Sequence, residues 1–168
     1  MDITLRAATL DDVALIDDMH VKSRRVTYRG HVSDHYLDVT MPAASLAEWQ
    51  AKLPPLLAAG GCVRIAEDAG EAVGFVTSQA VDERGVVYVN NLHAMPERKG
   101  RGIGTALLAE VARRARDRGA RAMQLHVLET NAAAIAFYEA RGWRRLLREE
   151  HVWAGETVGA LLYERALT

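Results

Sequence analysis

The chain contains a single cysteine, Cys62, so no disulfide can close within it. Cys62 opens the short apolar run Cys62-Val63-Arg64-Ile65-Ala66, where a small buried strand residue accounts for it better than a nucleophile does. Charge of either sign is also not in surplus: 21 Lys and Arg against 22 Asp and Glu leave a formal net charge of −1, which argues against a dedicated nucleic-acid binder. No apolar run approaches the ~20 residues that span a bilayer. Met1 to Arg6 lacks the basic-then-apolar order of a secretory leader. The expectation is a cytoplasmic protein with no membrane partner. Linkers, internal repeats and low-complexity tracts are missing too. The 168 residues, 49% apolar and 26% charged, fit one domain, 1–168, with a single sizeable core.

Periodicity divides the chain into elements. Ile3 to Arg6 alternates and suggests a first strand. Thr9 can cap a helix whose first turn holds Asp11 and Asp12 and whose apolar stripe is Val13, Leu15, Ile16 and Met19, fading near Ser23. Tyr28 to Pro42 mixes aromatic, polar and turn residues and reads as irregular or partly helical. Ala44 to Leu57 reads as a second helix, ended by Pro54-Pro55 or by Gly60-Gly61. Cys62–Glu67, Ala72–Ala80 and Val86–Met95 are strands separated by turn-like breaks, hence an antiparallel meander. Gly102 to Arg118 is the clearest helix, with Ile103, Leu107, Leu108, Val111 and Ala115 on one face and Gly119 as its stop. A strand at Met123–Leu128, a helix at Ala132–Ala140 and two strands, Trp143–Trp153 and Val158–Ala166, complete the chain.

Between the fourth strand and the clearest helix lies Pro96-Glu97-Arg98-Lys99-Gly100-Arg101-Gly102-Ile103-Gly104-Thr105. Glycines there permit unusual backbone angles and close approach of a ligand to the main chain. The N–H groups that open a helix lack intrahelical partners, and with the positive end of the dipole they form an anion site. Arg98, Lys99 and Arg101 add positive charge. The anion is not held by a P-loop, because Gly-x-x-x-x-Gly-Lys-Ser/Thr does not occur. A dinucleotide fingerprint fails as well: its third glycine falls on Thr105 counting from Gly100, and on Leu107 counting from Gly102.

Lys99-Gly100-Arg101-Gly102-Ile103-Gly104 resembles the pyrophosphate signature Gln/Arg-x-x-Gly-x-Gly/Ala of the GNAT superfamily of acetyl-CoA-dependent N-acetyltransferases, with Lys99 where that family usually has Gln or Arg. Lysine keeps the charge and loses the planar fork. Asn131-Ala132-Ala133-Ala134-Ile135-Ala136-Phe137-Tyr138, followed by Gly142-Trp143, is similar to a second family pattern, Asn-x-x-Ala-x-x-Phe-Tyr-x-x-x-Gly-Phe/Trp. Asn131 and Tyr138 lie seven apart and so share a helix face. The resemblance covers Val86 to Trp143 well and the remainder in element order. It implies an α/β fold whose mixed, mostly antiparallel sheet splays between strands four and five and is flanked by helices. It implies acetyl-CoA as co-substrate, no metal, and an amine acceptor as partner, with a homodimer left open. Leu92, His93 and Ala94 would meet the pantetheine arm and the acetyl carbonyl through their main chain. Lys99, Gly100, Arg101, Gly102, Ile103, Gly104 and Thr105 would hold the pyrophosphate, and Asn131 the pantetheine amides.

In the family's usual scheme the amine attacks the thioester directly, so it must be neutral, although an alkylammonium has a pKa near ~10. The oxyanion needs donors from the fourth strand. Tyr138 is the candidate acid for the leaving thiolate. His93 and His126 are equal candidates for the base, with solvent a third. If alternation is unbroken, Tyr88, Asn90 and Leu92 share one face of the fourth strand. Taken singly, Asn131 is explained as a helix cap and Tyr138 as a core residue. The acceptor region is expected in Met19 to Trp49, with Tyr28, Tyr36 and Asp38 holding a cationic amine against an aromatic wall. Two alternatives stand beside a small-molecule or peptide acetyltransferase: a non-catalytic acyl-CoA sensor, and an enzyme acting on a protein or aminoacyl-tRNA amine.

Overall fold

A computed structural model describes residues 2–168. In chain order the elements are β1 (Ile3–Ala7), α1 (Val13–Thr27), α2 (Met41–Ala58), β2 (Cys62–Asp68), β3 (Glu71–Ser78), β4 (Val86–Ala94), α3 (Ile103–Asp117), β5 (Ala122–Leu128), α4 (Ala132–Glu139), β6 (Arg144–Trp153) and β7 (Glu156–Ala166). The seven strands form one sheet in the order β1-β2-β3-β4-β5-β7-β6. All neighbours are antiparallel except β4 and β5. Buried Leu107, Leu108, Val111 and Ala115 of α3 pack on one face of the sheet with Val76, Val87 and Val89. Ile16 and Met19 of α1 and Trp49 and Leu53 of α2 cover the other face over Val63, Ile65 and Phe75. The helical and strand periods of these apolar residues are what set the two layers against the sheet.

The parallel seam is short. Val86, Val87 and Tyr88 pair with Ala122, Met123 and Gln124, and the ladder stops there. Beyond it β4 stays paired with β3 as far as Ala94, and β5 with β7 as far as Leu128. The sheet therefore opens as a wedge between residues 89–94 and 125–128. Its lips are backbone edges whose polar groups have no strand partner.

Three expectations are revised. Strand β4 carries a bulge: Thr77 faces Asn91 and Ser78 faces Val89, which leaves Asn90 as the extra residue. Parity flips there, so Leu92 joins Val87 and Val89 on the α3 side, whereas His93 lies against Phe75 on the α1–α2 side. Tyr88 and Leu92 do not share a face. Helix α1 does not fade at Ser23 but runs to Thr27, with Arg24 and Arg25 in its last turn, where cations suit the dipole. Helix α2 begins at Met41, continued from a π-helical segment, Tyr36–Thr40, and it contains Pro54 and Pro55. A proline removes its own N–H, yet the Pro55 carbonyl still accepts from Ala59 N at 3.0 Å, so one more turn closes before Gly60 at φ +83°.

Candidate active site

On one side of the wedge a cleft of about 380 Å³ runs from the β4 lip to the start of α3 and along α4. Gly100 and Gly102 have φ of +78° and +82°, the left-handed region that turns the chain into α3. Gly102 caps α3 with no side-chain bond to the helix, and the first helical bond runs from Ala106 N to Gly102 O at 2.9 Å. The N–H groups of the first turn are therefore free to meet an anion. Gly104 is required for a different reason. A Cβ there would lie 3.2 Å from Phe137 Cζ, so the absent side chain lets α3 pack on α4. Of the expected cations, Lys99 lines the cleft and donates to Thr27 Oγ1 at 3.0 Å. Arg98 also borders the cleft but is paired with Asp68 at 3.2 Å and Glu71 at 2.8 Å. Arg101 is exposed and outside the cleft lining. Arg141, which the sequence did not single out, lies on the wall with its guanidinium 3.7 Å from the Phe137 ring centre and donates to Thr105 Oγ1 at 3.0 Å.

A second cavity, of about 440 Å³, opens on the α1–α2 side of the wedge. Tyr28, Leu92, His93, His126 and Tyr138 line both spaces, so the two meet at the point where β4 and β5 part. Tyr28 and Tyr36 stand in this second wall with Trp153, at ring distances of 4.8 Å and 6.0 Å from it. Asp38 is not in the lining. It is exposed and bound to Arg29 at 2.7 Å and to Arg25 at 3.5 Å.

The ionisable groups at the junction differ in character. His93 is buried, stacked on Phe75 with ring centres 5.3 Å apart, and its Nδ1 lies 2.8 Å from Ser23 Oγ. Burial, with Arg24 and Lys99 nearby, pulls its pKa down to about 3. Burial pushes the Tyr138 phenol above its ordinary value, and Tyr28 adds to the effect. His126 on β5 is instead bracketed by partners. Its Nδ1 is 2.6 Å from the Tyr88 hydroxyl and its Nε2 is 2.8 Å from Glu149 Oε2 on β6. His151 Nε2 approaches the same oxygen at 2.9 Å. Hydrogen bonds from His151 and His126 hold the Glu149 carboxyl below the usual range. The ligand atoms of His126, Glu149 and His151 lie within 4.8 Å of one another, a metal-capable grouping that one shared carboxylate oxygen explains without an ion. His31 lies 2.8 Å from Thr130 Oγ1 through its Nδ1.

Asn131 caps α4, its Oδ1 accepting from Ala134 N at 3.1 Å, and it also borders the cleft along α3 and α4. Leu92, His93, Ala94, Gly100, Ile103, Gly104 and Thr105 border that cleft as well. Glu149, His20, Arg24, Lys52 and Trp153 were not singled out as site residues; His20 and Arg24 fall inside the expected acceptor region Met19 to Trp49, whereas Lys52, Glu149 and Trp153 lie outside it and are brought in by tertiary packing.

The wedge, the helix start with its free first-turn N–H groups and the two cavities come together at one place in the fold. The chain belongs to the Acetyltransferase (GNAT) family, whose model matches residues 25–143. It is an N-acetyltransferase, as are its relatives by name. It is similar to an uncharacterized N-acetyltransferase of Methanocaldococcus jannaschii, 28% identical over 159 residues, which cover 86% of this chain and 66% of that one. An uncharacterized N-acetyltransferase of Bacillus subtilis is 28% identical over 156 residues, 91% of this chain and 87% of the relative. The fold matches the PaiA N-acetyltransferase of Thermoplasma acidophilum in complex with coenzyme A, with a TM-score of 0.80, 19% identity and 99% coverage of both chains. No helix among the described residues is long and apolar enough to cross a membrane.

Proposed function

We propose that this enzyme transfers the acetyl group of acetyl-CoA to a primary amine by direct attack in a ternary complex. The observation that carries the reading is the pair of cavities joined at Leu92, His93, His126 and Tyr138. One cavity ends on the anion-ready start of α3 and suits the pyrophosphate and pantetheine; the other admits the amine. The thioester carbonyl then sits against the unpaired lip of β4, whose N–H groups are donors for the oxyanion. The Tyr138 hydroxyl donates to the departing thiolate.

His126 is the base in this reading, and His93 is not. A histidine held near 3 is a poor proton acceptor at neutral pH. The Glu149 carboxylate only accepts, so it fixes the hydrogen on His126 Nε2 and leaves Nδ1 as the basic nitrogen. The amine proton reaches Nδ1 through the Tyr88 hydroxyl or a water in its place, and Glu149 stabilises the imidazolium that forms. Thiol release with an accepted amine tests this. His126→Gln is expected to lower kcat by ~10²-fold or more, with acetyl-CoA affinity and melting temperature close to the parent values. Glu149→Gln, which removes the carboxylate that fixes the His126 tautomer, should lower kcat by a smaller factor. Unchanged kcat in His126→Gln would remove the histidine from the mechanism.

A further inference from the structure

The acceptor-side cavity was expected to offer acids to a cationic amine. Its walls carry the opposite charge. Arg24 of α1 and Lys52 of α2 both line it, and the acid in the lining is Glu48, one turn before Lys52. With the histidines neutral, the lining holds one net positive charge.

Neither cation is engaged by a carboxylate. Most arginines near this face are neutralised: Arg25 and Arg29 by Asp38, and Arg29 also by Asp34. Among the described residues, Arg24 and Lys52 take part in no salt bridge. Aromatic groups hold them instead. The Arg24 guanidinium donates to Tyr36 Oη at 3.1 Å and lies 5.6 Å from the Trp153 ring. The Lys52 ammonium lies 5.2 Å from the Trp49 ring. Such contacts orient a guanidinium and leave most of its five N–H donors unused. The charge is felt across the cavity: after burial, Arg24 is among the causes that pull Lys52, His20 and His93 toward their neutral forms. Glu48 offsets part of this at Lys52, without contacting it closely enough to form a salt bridge, and a bound anion would relieve the remaining repulsion between the two cations.

Resting on the acetyltransferase reading above, we propose that the acceptor is an amine that also bears a carboxylate, an amino acid or a short peptide with a free carboxyl end. The carboxylate binds the Arg24 fork with Lys52 beside it, which aims the amine toward His126 and the open lip of β4. Charge-assisted, bidentate contact is what Arg offers a carboxylate and an ammonium ligand cannot use. Polyamines, which carry no anion, are disfavoured acceptors.

The test compares matched acceptors by thiol release from acetyl-CoA: amino acids, their amides, their decarboxylated amines and a polyamine. Acetyl-CoA affinity is measured in parallel by calorimetry. The amino acids are expected to exceed their amides in kcat/KM by ~10-fold or more. Arg24→Gln should raise KM for the amino acids by ~10-fold or more while leaving KM for the amides within about twofold. Lys52→Gln should do the same to a smaller extent. Melting temperatures check that both variants fold, and phosphonate analogues of the amino acids show whether any oxyanion suffices. Equal kcat/KM for acid and amide, a preference for the polyamine, or equal losses in both series for Arg24→Gln would overturn the proposal. So would intact acetyl-CoA binding with no acid turned over. Failure to bind acetyl-CoA would overturn the underlying functional reading instead.

Discussion

The Tyr138 hydroxyl is carried by a half-buried ring packed against the core. That ring stands 5.1 Å from Phe137 and 5.5 Å from Trp143, both edge-on, within the cluster that joins α4 to the sheet. Burial that supports the packing also resists ionisation of the phenol. A phenol so raised is a poor acid toward an ordinary thiolate, whose conjugate acid is near ~8.5. In the proposed reaction a thiolate leaving in the same desolvated cleft would be raised as well, and the hydroxyl would act first as a hydrogen-bond donor to the charge that develops on sulfur. Tyr138→Phe removes that donor and keeps the ring. Its kcat should fall by ~10²-fold or more, with acetyl-CoA affinity and melting temperature close to the parent values. If kcat held with a good acceptor, Tyr138 would be a packing residue.

At the scale of elements, the start of α3 shows which glycine serves which purpose. Gly102, at φ +82°, has no atom within 4 Å of where a Cβ would be, so its need is for the left-handed backbone and not for room. Gly119, at φ +79°, has the same conformation and the same open surroundings at the far end of the helix. Valine at either position should cost ~1–2 kcal/mol of stability through the same strain. Gly102→Val should in addition weaken acetyl-CoA binding by ~10-fold or more, because the first-turn N–H groups are re-aimed, while Gly119→Val leaves affinity unchanged. Calorimetry beside denaturant unfolding separates the two, and equal affinities would dissociate this turn from the cofactor. The same contrast explains what was legible beforehand. The glycine loop and the α4 pattern are contiguous runs whose backbone needs write themselves into residue type, so the wedge strand and both helix starts could be read directly. The acceptor wall is assembled from Arg24, Lys52 and Trp153, brought together by tertiary packing with no local signature. Ion pairing was equally hidden, and it withdrew Asp38 from the cavity. The bulge at Asn90 is a one-residue register event that alternation cannot announce.

For the whole molecule, the layer between the sheet and the α1–α2 pair contains histidines where most cores have only hydrocarbon. His20 and His93 are buried, with ring centres 4.8 Å apart, and His20 Nδ1 accepts from Trp49 Nε1 at 3.0 Å. The groups around them are Phe75, Ser23, Arg24, Lys52 and Lys99, none of which welcomes a second positive charge. Burial first, and then Arg24 and Lys99, pull the folded pKa of His93 to about 3; burial, then His93, then Arg24 and Lys52 pull that of His20 down as well. An unfolded histidine titrates near ~6.5. Between about pH 6.5 and pH 3 the unfolded chain therefore binds protons that the folded one refuses, and stability falls as pH falls. Above ~6.5 both states are neutral and the effect vanishes. The window from pH 6.5 to pH 5 is the one to measure, because carboxylates are still mostly ionised there in both states, and His93→Gln separates this contribution from that of the other histidines. Over that interval each buried histidine should remove on the order of 1–2 kcal/mol from the free energy of unfolding. Urea unfolding at a series of pH values measures the slope, and His93→Gln, which keeps a polar side chain beside Ser23, should remove about half of it. A flat profile from pH 6.5 to pH 5 would mean that these histidines charge without unfolding, and that the acceptor-side core opens to water more readily than its packing implies.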